Sequence, residues 1–412
     1  MSIEFIHPNA AQFDRLLTAA ERQNLLLTQL ITSNPDATPV ATLREIHEIV
    51  RAGEAEHAFA IGDQLMLNYN DGSQNYVLPW DIVAFEEVEL EDGETVPGMI
   101  IESHYAMQGV QFDGNEAFCL GPLAAGTYHF AMGNSWESNV VAGKVYQFTL
   151  AQAVPEGGLL VLGTASSTTS GLPDTAPENW RVRTYANGST METIEVVSLS
   201  EGSGGTDLGT LSSSTKYGTS GLNNMQRSAY GYNRWGQSGM RQWLNSAAAA
   251  GAWWSSQNPY DRAPDQLPSI AGFMAGFDEA FLNIIKPVKV RTALNTVSDD
   301  QIGTYEDTYD TFFLPSLEQE YIVPQASGIE GAYWPYWKQR MGLSAPQIQG
   351  GDGANANHIR YAYNAKTSPQ NCRLRSASRG YAYLAWIVYT TGAAVSTTAT
   401  YAYRGCPACV IC

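Results

Sequence analysis

From Gly380 to Gly405 the sequence contains no Asp, Glu, Lys, Gln, Met, Asn or Pro. After Asp352 it has no acidic residue at all, although the whole chain carries 41 Asp and Glu against 23 Lys and Arg, a formal net charge of -18. Such a balance excludes nucleic acid as a partner unless basic groups are segregated. The basic run Arg360, Lys366, Arg373, Arg375, Arg379 and Arg404 reads as internal, its guanidinium groups bonding carbonyls and carboxylates of the same domain. Cysteine is scarce, with five in 412 residues, so no disulfide framework is implied. Long apolar runs are missing too. Leu25–Ile31, LLLTQLI, is too short to cross a bilayer. The opening MSIEFIHPNA has neither the basic start nor the apolar stretch of a secretory signal. Synthesis in a cytoplasm without a signal peptide, and no membrane insertion, are the expectations. No HExxH, Walker loop, GxGxxG or Ser-His-Asp order supports an enzyme class.

What is present divides into three stretches. Residues 1–58 read as a helical arm. Phe13, Leu16, Leu17, Ala20, Leu25 and Leu27 give helical spacing over 10–32, and Leu43, Ile46, Ile49 and Val50 do so over 41–52. The two helices suit particle attachment or homo-oligomerisation, or packing on the next sheet. Residues 59–164 read as a small β domain, a sandwich or partial barrel, with breaks at Asn70-Asp71-Gly72, Asp92-Gly93, Ala125-Gly126 and Ala142-Gly143. Residues 165–412 open with a Ser/Thr/Pro/Gly link and continue with short elements rich in tryptophan. A helix is predicted at Gly239–Leu244 with Trp243 and Leu244 inward. Another is predicted at Asp278–Ile285, capped by Asp278 and stopped before Pro287. Trp235, Trp243, Trp253, Trp254, Trp334 and Trp337 read as anchors of long irregular loops. The fold class expected is α+β.

The stretch that carries most information is Arg373–Cys412. It offers tyrosine, which gives large rigid contact area at low entropic cost, among small residues. Composition alone equally suits a Tyr/Thr-rich pair of strands. Arg375-Ser376, Arg379-Gly380, Ala385-Trp386, Val388, Thr391-Gly392, Ala399, Ala402, Arg404 and Pro407-Ala408-Cys409-Val410-Ile411 resemble the fixed positions in variable proteins of diversity-generating retroelements. In that family an adenine-directed, error-prone reverse transcription rewrites the end of the gene. Template Asn codons then yield Tyr, Ser, Thr, Ala, Gly, Ile, Val or Leu, but not Lys, Gln, Glu or Met. Thirteen residues between the fixed positions obey that restriction: Tyr381, Tyr383, Leu384, Ile387, Tyr389, Thr390, Val395, Ser396, Thr397, Thr398, Thr400, Tyr401 and Tyr403.

The resemblance implies a C-type-lectin-like domain over 165–412, with a variable region at about 373–412. In it Arg375, Trp386, Val388, Gly392, Arg404 and Ile411 would be the scaffold. The preceding stretch from Tyr230 to Trp334 is similar to a domain common in prophages and gut phages. The function implied is a hypervariable receptor- or ligand-binding protein on a phage virion. Its partners would be a host cell-surface protein or glycan and other particle proteins, with no cofactor. The alternative is a non-diversified fibre or decoration component. A formylglycine-generating-enzyme-like oxidoreductase ranks third. It would need Cys406 and Cys409 in a substrate cleft, and the CxxC of Cys406-Pro407-Ala408-Cys409 precedes Val410-Ile411, which extends a strand rather than a helix. Buried free thiols are the favoured state of the cysteines, ahead of a disulfide or a zinc site on Cys372, Cys406, Cys409 and Cys412. Carboxylates and amides converging on one loop, as calcium-dependent sugar binding requires, are not evident, so no metal is expected.

Overall fold

In the strand Gln64–Asn70, Leu65, Leu67 and Tyr69 are buried while Met66, Asn68 and Asn70 are exposed. This is the period of two that places successive side chains on opposite faces of a sheet. The computed structural model describes residues 39–133, 143–164, 180–187, 192–211, 225–298 and 303–412. After the first strand the chain reverses at Asp71, whose Oδ1 accepts the N–H groups of Ser73 and Gln74, both at 2.9 Å. The return strand Asn75–Glu89 is buried without interruption from Leu78 to Ala84, as expected of a strand covered on both faces. Thr95–Ser103 pairs with it antiparallel.

The end of the chain completes this sheet. The strand Ala408–Ile411 lies antiparallel to Thr95–Ser103, with Ile411 opposite Met99 and Val410 opposite Ile100. Phe312–Phe313 pairs on its other side, giving a five-stranded sheet. The sequence boundary at residue 164 is therefore crossed by hydrogen-bonded strands. The helix read at 41–52 is Pro39–Arg51. It packs on the central sheet through Ile46, Ile49 and Val50, and His47 Nε2 lies 2.9 Å from the Cys412 carbonyl oxygen. That helix is part of the core rather than an arm held away from it. The helix read at 10–32 lies outside the described residues.

A second core is formed by an excursion between the first three strands and the rest. Two four-stranded sheets build it. One orders Thr193–Ser198, Trp180–Tyr185, Leu159–Thr164 and Cys119–Leu120; the other orders Ser200–Glu201, Val145–Leu150, Gly126–Met132 and Thr206–Leu211. Phe118, Phe130, Phe148, Leu160, Leu162 and Val182 pack together there. This unit thus takes strands from both sides of the Ser/Thr/Pro/Gly link.

A fourth sheet has the order Ala394–Thr398, Leu384–Val388, Cys372–Ala377, Ala402–Gly405, Val110–Gln111. Short helices and long loops join it to the central sheet. In Gly239–Leu244 the Ser238 hydroxyl accepts the Arg241 N–H at 3.1 Å, and Trp243 and Leu244 are buried as the spacing predicted. The helix Glu279–Leu282 is shorter than expected, and Asp278 makes no side-chain cap; its carboxylate accepts from Asn68 Nδ2 instead, at 3.1 Å. All six anchoring tryptophans are buried. Trp235 donates to Asp310, Trp337 to Glu102 and Trp253 to the Ile270 carbonyl, each at 2.9 Å. The architecture is α+β, with mixed sheets and short helices.

Candidate ligand-binding face

The hairpin Leu384–Val388/Ala394–Thr398 pairs Trp386 with Ser396 and Val388 with Ala394. Trp386, Val388 and Ala394 pack with Leu317, Ile322 and Leu374 in a small apolar cluster that fixes one side of the hairpin. The turn between its strands is closed by Tyr389 N–H to the Ala393 carbonyl and Gly392 N–H to the Tyr389 carbonyl, both 2.8 Å. Gly392 has a φ of 79°, and a Cβ there would stand 1.9 Å from the Asn355 carbonyl oxygen. Conformation and close approach both demand glycine.

Two arginines lie under the face. The Arg373 guanidinium donates to the carbonyls of Ala385 (3.1 Å), Thr397 (3.4 Å), Tyr401 (3.2 Å) and Thr398. Arg375 donates to the carbonyls of Leu314 (2.8 Å) and Glu330 (2.7 Å) and to Gln319 Oε1 (2.5 Å). Burial draws the Arg375 pKa down, to about 10, against the pull of Glu330, Asp310 and Glu86, so it stays charged at neutral pH. The reading of these basic residues as internal bonding groups matches this geometry. Arg404 is half-buried and donates to the Met107 carbonyl at 3.0 Å, and Ile411 is buried in the central sheet.

The thirteen candidate positions are not equivalent. Tyr381, Tyr389 and Tyr401 are exposed, at 47%, 43% and 43%. Tyr383, Leu384, Thr390, Val395, Ser396, Thr397, Thr398 and Tyr403 are half-buried. Ile387 and Thr400 are buried. Ile387 faces away from Trp386 on its strand and stands opposite Val395 of the next strand. The Thr400 N–H donates to the Tyr230 carbonyl at 3.1 Å.

The tyrosines do not converge at one point. Tyr381 meets Tyr383 edge-on at 5.8 Å, and Tyr383 stacks on Tyr230 at 5.0 Å. Tyr383 also packs against the second core. Tyr401 and Tyr403 form another pair, at 5.5 Å. Tyr389 and Thr390 sit at the hairpin turn, five residues and about 17 Å of extended strand from Leu384. Tyr381 and Tyr383 precede the hairpin and Tyr401 and Tyr403 follow it, at the end where Leu384 pairs with Thr398.

Sequence reasoning missed the residue that holds the loop before the hairpin. Asn233 is fully buried. Its Nδ2 donates to the carbonyls of Tyr381 (2.7 Å), Leu384 (2.8 Å) and Ser378 (3.2 Å), and its Oδ1 accepts from Asn295 at 2.9 Å. A single Asn in Tyr230-Gly-Tyr-Asn-Arg-Trp gives no periodic or motif signal for this role.

All five cysteines are buried and free. Cys372 and Cys406 share a small cluster with Ala106. Burial pushes the Cys406 and Cys409 thiols well above their usual range, opposite to what thiolate chemistry needs. Among the described residues no group of His, Cys, Asp or Glu is placed to hold a metal ion, and none of the helices is long and apolar enough to cross a membrane.

Residues 211–411 match the family model Domain of unknown function (DUF6273). No curated protein and no solved structure matches the chain. The matched segment runs from the last strand of the second unit to the strand that completes the central sheet.

Proposed function

We propose that the chain is a phage-type ligand-binding protein, with a C-type-lectin-like C-terminal domain whose hairpin face is diversified by a retroelement. On this reading it resides on the virion surface and meets a host cell-surface protein or glycan. The observation that carries it is the separation of roles along the last forty residues. Tyr381, Tyr389 and Tyr401 are exposed, while Trp386, Val388, Gly392, Arg375 and Ile411 between and around them are buried. Exposed aromatics in such number are otherwise a solubility liability and commonly mark interaction sites, and tyrosine is enriched among interface hot spots.

The test exchanges the thirteen positions for another set drawn from the permitted residues, then compares thermal melts and capture of candidate host-surface material. Retained folding with changed or lost capture supports the proposal; unchanged capture by the exchanged protein counts against it. At the nucleotide level, the reading requires a near-copy of the codons for this stretch, differing where the copy has adenine, near a reverse-transcriptase gene.

A second reading, a fibre or decoration component without a diversified site, draws on Ile387 and Thr400. Both are buried, and a buried position tolerates fewer replacements than an exposed one. The exchange decides between the two when these positions are varied separately from the other eleven.

A further inference from the structure

Where the second unit joins the loops under the candidate face, Asp113, Glu116, Asp261 and Asp265 gather around two guanidiniums, those of Arg227 and Arg262. All but Asp265 are buried. The segments touch main chain to main chain. A Cβ at Gly114 would stand 2.2 Å from the Arg262 carbonyl oxygen, and one at Gly231 would stand 3.0 Å from that of Asp113.

The cations serve only some of these carboxylates. Arg227 donates twice to Glu116, at 2.5 and 2.7 Å. Arg262 donates to Asn115 Oδ1 at 3.2 Å and to Asp265 at 3.3 Å. Neither hydrogen-bonds Asp113 or Asp261. The next charges outward are held by other partners. Arg241 lies 2.6 Å from Asp310 and Arg234 2.8 Å from Glu306, and Arg373, beyond Phe112, bonds carbonyls.

Asp113 and Asp261 are not equally satisfied. Asp113 accepts the Tyr232 N–H on Oδ2 at 3.2 Å and the Gly239 N–H on Oδ1 at 3.3 Å. A donor on each oxygen favours the ionised form. Asp261 accepts the Gln257 N–H on Oδ2 at 2.8 Å, while its Oδ1 is buried without a hydrogen-bond partner. Burial raises Asp261 well above the usual carboxylate range, and Glu116 adds to this against the Gln257 N–H and Arg227. On Asp113 the charge of Asp261 is the strongest influence after burial. Like charges sharing a dry site do not both stay ionised.

We infer that Asp261 is a proton-binding site, its Oδ1 carrying a hydrogen at neutral pH, and that release of this proton loosens the floor of the candidate face. Ionised Asp261 repels Asp113, and Asp113 holds Tyr232. Tyr232 lies in a four-residue segment on which both ends of the face hang. The Tyr230 carbonyl accepts the Thr400 N–H at 3.1 Å, Asn233 N–H donates to the Ala382 carbonyl at 2.9 Å, and Tyr383 stacks on Tyr230. A carboxyl group raised on folding contributes fully below its unfolded value and loses that contribution as pH rises through the folded one. Alkaline pH is therefore the loosening direction. The inference concerns the order of these loops and not what they bind, so it is independent of the function proposed above.

Hydrogen exchange of the full chain at about pH 6 and about pH 9, with labelling times scaled to the chemical exchange rate, tests it. At the higher pH, peptides spanning 230–233 and 399–401 should lose protection about tenfold or more relative to Val145–Leu150, the factor for one pKa unit. Asp261→Asn, whose neutral amide copies the protonated group, should keep the low-pH protection at both values. Asp113→Asn, which sets an NH2 group against a main-chain N–H, should loosen 230–233 at both. The inference is overturned if the parent's relative protection is the same at both pH values, if Asp261→Asn keeps the parent's pH dependence, or if Asp113→Asn is the variant that removes it. An Asp261→Asn protein that does not fold overturns it as well, since a neutral isostere should be accepted where a proton is bound.

Discussion

The last forty residues enter two sheets and meet opposite conditions in them. Ala408–Ile411 lies inside the central sheet with a strand on each side and every residue buried. Leu384–Val388 and Ala394–Thr398 form a hairpin at the end of the other sheet, the first strand buried from Ala385 to Val388 and the edge strand half-buried from Val395 to Thr398. The difference teaches how one short stretch can combine fixity with tolerance. In the inner strand each side chain fills space that others define, so identity is constrained at every position. In the hairpin that holds for Ala385 to Val388, which are buried on both sides of their strand, whereas Val395–Thr398 of the partner strand are only half-buried.

Substitutions ranked by expected loss can break that contrast. The largest effect belongs to Val410→Asp, which places a carboxylate in the centre of the inner sheet; an isolated buried charge costs far more than a domain's net stability of about 5–15 kcal/mol. Circular dichroism should show no cooperative melt. Next, Trp386→Ala should cost about 3–5 kcal/mol, read from denaturant titration, since the hairpin's packed side depends on that ring.

Acidity should act mainly on the inner sheet, because the chain beyond Asp352 has no carboxyl side chain. Burial, opposed by Arg360 and reinforced by Glu320 and Asp81, lifts Glu102 to about 8. Burial likewise lifts Glu320 to about 7, against Arg360 and Arg340. A carboxyl group raised above its unfolded value of about 4.3 contributes fully below that value. The contribution is lost as pH rises through the folded one. Burial also holds His358 well below its usual range, which favours the folded state as pH rises through the ordinary histidine value of about 6.5. Above that value the carboxyl effect acts alone, and melting temperature should fall as pH rises to about 8.5. A melt flat over that upper range would show that Arg360, 2.5 Å from Glu102, compensates it completely.

A smaller loss, about 2–3 kcal/mol, is expected of Asn233→Ala, which strands buried carbonyls in the Ser378–Leu384 loop; hydrogen exchange should quicken there before it does in Ala408–Ile411. Smallest of all, Tyr381→Ala and Tyr401→Ala should each change stability by no more than about 0.5 kcal/mol. If either costs as much as Trp386→Ala, the exposed tyrosines flanking the hairpin are structural and the contrast fails.

The features legible in the sequence were those with local or periodic signals. Alternation gave the first strands, and the tryptophan-rich stretch gave the buried anchors. Trp386, Val388 and Gly392 stand out only through the resemblance to fixed positions of retroelement variable proteins. The pairing of Ala408–Ile411 with Thr95–Ser103 could not be read, because partners three hundred residues apart leave no periodicity that links them. For the same reason the second core was divided at a linker that its sheets span. The burial of Ile387 and Thr400 could not be read either, because membership of a restricted residue set says which side chains are allowed at a position, not which way the strand turns them. Asn233 was invisible because its partners are carbonyls, which every residue carries.

That last property extends to Arg373. Its four acceptors belong to Ala385, Thr397, Thr398 and Tyr401, three of them among the candidate variable positions. Each acceptor is a main-chain oxygen, present whatever side chain the codon specifies. The clamp is thus blind to the message written over it. A gene could rewrite those three codons and the guanidinium would meet the same atoms, whereas a clamp made of side-chain partners would have to be rewritten with them.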